Sequence, residues 1–119
     1  MLDRNFAEHF AADWVDSWNQ HDLQRILSHY TEDFEMSSPL IAQIAGEPSG
    51  KLKGKESVGG YWAKGLAAFP NLHFELVSIL TGAQSITLYY KNHRGQFVAE
   101  VFHFSADGKV EKSFAHYTA

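Results

Sequence analysis

The residue best equipped for chemistry in this chain is Glu100, a carboxylate inside the run Gln96-Phe97-Val98-Ala99-Glu100-Val101-Phe102-His103-Phe104. If that run is a strand, period-two alternation puts Val98, Glu100, Phe102 and Phe104 on one side, an otherwise apolar row facing a core. An ionised carboxyl without a partner is costly to bury, so such a group raises its pKa and keeps its proton. That condition suits a general acid or base, or a hydrogen-bond anchor for a ligand carbonyl or hydroxyl. The alternative is a structural acid satisfied by Ser113 or another local donor. Asn92 and Tyr117 are the expected helpers, with Ser38 as a further polar contact. Tyr30 and Tyr90 can each aim a phenol at the same pocket, or serve as core with the hydroxyl at its rim. Trp14, Trp62, Phe34, Phe74 and Phe102 are candidates for its walls.

Other chemistries find little support. The chain has no cysteine, which removes disulfides, thiolate metal sites and a cysteine nucleophile. Its seven histidines form neither an HxH nor an HExxH pair, so no metal site is expected. There is no nucleophile elbow, glycine-rich phosphate loop or nucleotide fingerprint, and no cofactor is expected. A net charge of −4, with no basic run denser than KLKGK at 51–55, argues against nucleic acid. No stretch of about 18 apolar residues suggests a membrane span. The opening residues carry Asp3, Glu8 and Asp13, unlike a secretory signal, and the expectation is a soluble cytoplasmic protein. Nine Phe, three Trp and five Tyr in 119 residues make either a ligand cavity with aromatic walls or simply an aromatic-rich core.

These side chains need elements to position them, and at 119 residues one domain, 1–119, is expected. Residues 3–18 read as a helix capped by Asp3, with Phe6, Phe10, Trp14 and Trp18 at i+4 steps. Asn19-Gln20-His21 breaks the pattern. Asp22 then caps a second helix whose apolar stripe is Leu23, Ile26, Leu27 and Tyr30. Phe34 to Ser38 alternate as a short strand ended by Pro39. Ile41 to Lys53 reads as a mobile loop able to act as a lid, with a brief strand near Lys51–Lys53. A third helix spans about Lys55 to Phe69, weakened by Gly59, Gly60 and Gly65.

The last fifty residues predict a four-strand meander: Leu72–Leu80, Ser85–Asn92, Gln96–Phe104 and Lys109–Thr118. An HRG loop with Gly95 left-handed pairs Tyr90 with Val98 and Leu88 with Glu100. A four-residue SADG loop pairs Phe104 with Lys109, hence Glu100 with Ser113 and Gln96 with Tyr117. The same arithmetic sends Phe97, Ala99, Val101, His103, Val110, Lys112, Phe114 and His116 to the opposite face. That face is apolar enough to be a homodimer interface. A one-residue bulge in the last strand would turn His116 inward beside Glu100.

Helices followed by a twisted antiparallel sheet make an α+β domain, the sheet curling around three helices of the N-terminal half. The segments WVDSWNQHDLQRILSHYTEDFEMSSP, GKLKGKESVGGYW and VAEVFHFSADGKV resemble the nuclear transport factor 2-like superfamily and its SnoaL-like, ketosteroid-isomerase-like branch, over residues 5–118. The resemblance implies a cone-shaped, mixed but mainly antiparallel sheet and a hydrophobic pocket. In ketosteroid-isomerase-like members a carboxylate ending the first strand moves protons, while a helix-one tyrosine and a later-strand acid stabilise the oxyanion. By that resemblance the first position is Ser38 here, the tyrosine is Trp14, its supporting tyrosine on helix three is Trp62, and the later acid is Glu100. Ser38 has no pKa near neutrality and Trp14 donates only one N–H, which argues against that family mechanism. Two functions are expected: a cofactor-free isomerase- or cyclase-like enzyme on an apolar, cyclic or aromatic small molecule, or a non-catalytic binding or dimeric interaction module of the same fold.

Overall fold

A computed structural model describes residues 2–119. Helix α1 (Arg4–Asn19) begins where the sequence places a cap, the Asp3 carboxylate accepting the Phe6 N–H at 2.7 Å. Its stripe of Ala7, Phe10, Ala11, Trp14 and Trp18 is buried. His21 takes a left-handed φ of 56°, and Asp22 caps the short α2 (Leu23–Leu27). Arg25 on α2 reaches back to Asp13 and Asp16 and locks the two helices together.

Tyr30 is not the end of the second helical stripe. It opens strand β1 (Tyr30–Ser37), because the His29 carbonyl is taken by the Val110 N–H at 2.9 Å and the chain is drawn into the sheet. The predicted loop holds one π-helical turn, Ile41–Ala45, with Ile41 buried, before the short β2 (Lys51–Lys53). Helix α3 (Lys55–Ala68) follows. A Cβ on Gly59 would lie 3.2 Å from Leu27 Cδ1, so the glycine that weakens this helix also lets it approach α2.

The sheet is completed by β3 (Glu75–Thr81), β4 (Ser85–Lys91), β5 (Phe97–Phe104) and β6 (Val110–Tyr117). Strand order is β2-β1-β6-β5-β4-β3, with only β1 and β6 parallel. This is the expected α+β, mainly antiparallel arrangement. The stretch before β3 is not strand as predicted. The Asn19 side-chain amide holds the Phe74 backbone, its Oδ1 accepting the Phe74 N–H at 2.7 Å and its Nδ2 donating to the Phe74 carbonyl at 3.0 Å, and His21 Nε2 meets the Leu72 carbonyl at 2.8 Å. Among the described residues no helix is long and apolar enough to cross a membrane.

The HRG turn sets the expected register: Gly95 is left-handed at φ 79°, Leu88 faces Glu100 and Tyr90 faces Val98. The β5–β6 register differs from the prediction by two residues. Ser105 rather than Phe104 pairs with Lys109, and a bulge follows, so Phe104 faces Val110, Phe102 faces Ser113, Glu100 faces Ala115 and Val98 faces Tyr117. One residue of slip and one of bulge restore the parity, which keeps Ser113, Ala115 and Tyr117 inward. The bulge does turn one residue in, but it is Val110, which is fully buried, and not His116, which stays exposed with Nδ1 3.2 Å from the Ala99 carbonyl. On the outer face Phe97, Ala99, Val101 and Phe114 are half-buried, with Tyr89 stacked on Phe97.

Candidate functional site

Inside the curled sheet lies a cavity of about 300 Å³, bounded by α1, α3, β4, β5, β6 and the π-helical turn. Its wall is aromatic because the inner stripe of α1 presents Trp14 and Trp18, α3 presents Tyr61 and Trp62, and the segment clamped by Asn19 presents Phe74. Leu40 and Ile44, flanking and within the π-helical turn, close one side.

Among the described residues Glu100 is the one acid on this wall, and it is 4 % exposed. Its Oε1 accepts the Tyr90 hydroxyl at 2.8 Å. Oε2 has no protein partner among the described residues and is left open to the cavity. Burial pushes the carboxyl pKa up to about 7, the Tyr90 hydrogen bond opposing that rise. Burial and the nearby Glu100 charge hold both Tyr90 and Tyr117 well above the usual phenol range, so both remain donors at neutral pH. The register offset matters here, since it seats Tyr117 opposite Val98, a pair closer to Glu100 than predicted, and Ser38 stands beside its hydroxyl.

Of the residues singled out from sequence, the structure brings Trp14, Ser38, Trp62, Phe74, Tyr90, Asn92, Glu100 and Tyr117 onto the cavity wall. Tyr30, Phe34, Phe102 and Ser113 are not on it, and Phe34 is fully buried in the core. Tyr30 is sealed in the core, where its hydroxyl accepts the Trp14 indole N–H at 2.9 Å. Phe102 is fully buried, and the Ser113 hydroxyl donates to Met36 Sδ at 2.8 Å. Ser113 therefore does not satisfy Glu100 as the predicted register required. Asn92 lines the cavity, but its Oδ1 accepts the Arg94 and Gln96 backbone N–H groups and its Nδ2 donates to Gln96 Oε1, so it chiefly builds the hairpin turn.

The sequence reading missed Trp18, Leu40, Ile44, Tyr61, Lys64, Gly65, Ala68, Phe69, His93 and Arg94 as lining residues. Part of this was accessible: Tyr61, Gly65 and Ala68 recur at helical spacing on one face of α3, where small residues leave room. No group of three or more His, Cys, Asp or Glu able to hold a metal occurs among the described residues. Chemically, the site offers one buried carboxyl with a raised pKa, phenol donors and an apolar wall.

The model for the SnoaL-like domain matches residues 11–112. A crystal structure of a SnoaL-like protein of unknown function from Burkholderia thailandensis E264 is 51 % identical, with TM-score 0.96 and 98 % of each chain covered. AclR, a putative hydroxylase from Streptomyces galilaeus, shares the fold at 20 % identity and TM-score 0.76, covering 98 % of this chain and 81 % of its own. SalBIII, described as an epoxide hydrolase/cyclase-like enzyme in pyran ring formation in polyether salinomycin, does so at 15 % identity and TM-score 0.75, covering 99 % and 95 %. No curated protein matches. With its matched span and its near-superposable relative, this chain belongs to the SnoaL-like domain family.

Proposed function

We propose that this domain binds an apolar cyclic small molecule and moves a proton on it without a cofactor, Glu100 being the acid/base. The observation that carries this reading is the division of labour at one carboxyl: Tyr90 orients Oε1, while Oε2 is unpartnered and faces an aromatic cavity. A pKa of about 7 leaves both protonation states populated near neutrality. Ionised, Glu100 takes a proton from a carbon next to a ligand carbonyl as Tyr117 donates to the developing oxyanion. Returning that proton to a second carbon isomerises the ligand and regenerates the carboxylate. Delivering it instead to a β-oxygen, as that C–O bond breaks and the enolate collapses to a conjugated C=C bond, opens a cyclic ether; the reverse addition, in which Glu100 takes the hydroxyl proton and returns it to the α-carbon, closes one. The neighbours described as a cyclase-like enzyme and a putative isomerase of the SnoaL-like family share the architecture in which such a step is reasonable.

A non-catalytic binding module is the second reading, and Trp14 favours it. Its single N–H is spent on Tyr30, so the helix-one position offers no donor to a ligand. The two readings separate with 2-tetralone, an apolar cyclic ketone, in deuterated buffer. Wild-type protein is expected to speed deuterium exchange at the carbons beside the carbonyl, seen by NMR, and Glu100→Gln to lose about 100-fold or more of that acceleration. If the ketone raises Tm equally in both proteins and exchange never exceeds buffer, the enzyme reading is wrong.

The half-buried outer face is proposed as the contact between two copies of the chain, its Phe97, Val101 and Phe114 being apolar and facing away from the helices. Val101→Asp is then expected to give monomers in sedimentation velocity. A wild-type protein that is already monomeric removes this proposal.

A further inference from the structure

The cavity is polarised between its depth and its mouth. The chain carries fourteen acids against ten Lys and Arg, yet among the described residues Glu100 is the one acid on the wall, and it lies in the buried part. The charged residues exposed at the mouth are both cations, Lys64 from α3 and Arg94 from the β4–β5 turn. Neither has a carboxylate partner among the described residues, where ion pairs engage Arg4, Arg25 and His29 only. Arg94 instead lays its guanidinium over the Phe69 ring, 5.0 Å from the centroid, which positions the charge at the edge of the apolar wall without neutralising it. Beside it, burial and the Arg94 charge hold the His93 pKa below the usual imidazole range, and neither of its ring nitrogens has a hydrogen-bond partner. Two unneutralised cations from separate elements thus line the exposed part of an apolar cavity, in a protein of net charge −4.

We propose that the ligand is an anionic amphiphile, a ring system that enters the aromatic section and a carboxylate that stays at the mouth between Lys64 and Arg94. The inference rests on the reading of the cavity as a site for an apolar ring, and adds its substrate class and its orientation. The physical reason is twofold. A carboxylate at the mouth keeps part of its hydration and meets two positive charges, whereas one pushed to the deep end is desolvated beside Glu100. The reacting end of the molecule is then the apolar one, carried to Glu100.

The test compares 2-naphthylacetate with its neutral methyl ester at pH 7 and low salt, read by quenching of the tryptophans, since Trp14, Trp18 and Trp62 all line the cavity. The acid is expected to bind about tenfold tighter than the ester, an advantage that shrinks with added salt. In Lys64→Gln/Arg94→Gln the ratio is expected to fall to about one. Equal affinity of acid and ester for the wild type overturns the inference and leaves the apolar-ring reading standing. An advantage that survives the double substitution but disappears in Glu100→Gln also overturns it, because the carboxylate would then sit at the deep end. If neither probe binds, the inference and the small-molecule reading fall together. A double variant that binds neither probe overturns it as well, since the two cations would then shape the cavity rather than select its ligand.

Discussion

The two halves of α1 pack against the same inner row of β5 with the same kinds of side chain, and they produce opposite results. Under the N-terminal half, Phe10 meets Phe102 and Phe104 edge-on at 5.0 and 4.9 Å, Phe6 meets Phe104 at 5.3 Å, and the space is filled. Under the C-terminal half, Trp14, Trp18, Phe74 and Tyr90 pack within 5.7 Å of a neighbouring ring yet border an open cavity. The row changes character at Glu100, with Phe102 and Phe104 on the sealed side and Val98 on the open one. Aromatic content is therefore no measure of a pocket. What opens one is a shortage of facing side chains where α3 offers Gly65 and Ala68, and what marks it out is a carboxyl at its inner limit.

The contrast is broken most directly by truncation on each side. Phe102→Ala is expected to destabilise the fold by about 4 kcal/mol, since it opens a void in filled core. Phe74→Ala, at a ring already bordering empty space, should cost about half as much. Equal losses in urea denaturation would show that the two ends are packed alike. Glu100 supplies the next effect. Its folded pKa of about 7 lies above the ordinary 4.5, so below pH 4.5 both folded and unfolded chains hold the proton. As pH rises the unfolded chain releases it first, and stability is expected to fall by on the order of 3 kcal/mol before levelling above about pH 7. Glu100→Gln should lack this slope, and a wild-type profile parallel to the variant's would place the carboxyl in water. The smallest effect concerns the boundary. Trp14 touches Phe102 on one side and Tyr90 on the other, and Trp14→Phe strips the Tyr30 hydroxyl of its donor. The expected cost is about 1–2 kcal/mol, largely recovered when Tyr30→Phe is added in a double-mutant cycle.

Much of the fold was legible because its signals are local. Asp3 and Asp22 cap helices with their own carboxylates, and Gly95 takes the left-handed conformation that its turn requires. The face of Glu100 followed from alternation alone. Tyr30 was misassigned because a residue at helical spacing looks the same whether it ends a helix or starts a strand, and only the Val110 N–H on the His29 carbonyl decides between them. Lys64, Arg94 and Phe69 carried no local signal as cavity residues, being ordinary members of a helix end and a turn.

By itself, then, the sequence determined most of the element types, the inward face of β5 and the presence of an acid in an apolar row, all of which are set by period and by caps within a few residues. Tertiary structure decided who meets that acid. A slipped turn and a bulge in β6 moved Ser113 away and brought Tyr117 nearer, while Tyr90 supplied the hydrogen bond. Register is a property of two strands, and the cost of each slip is set by everything packed against both, which no single segment encodes.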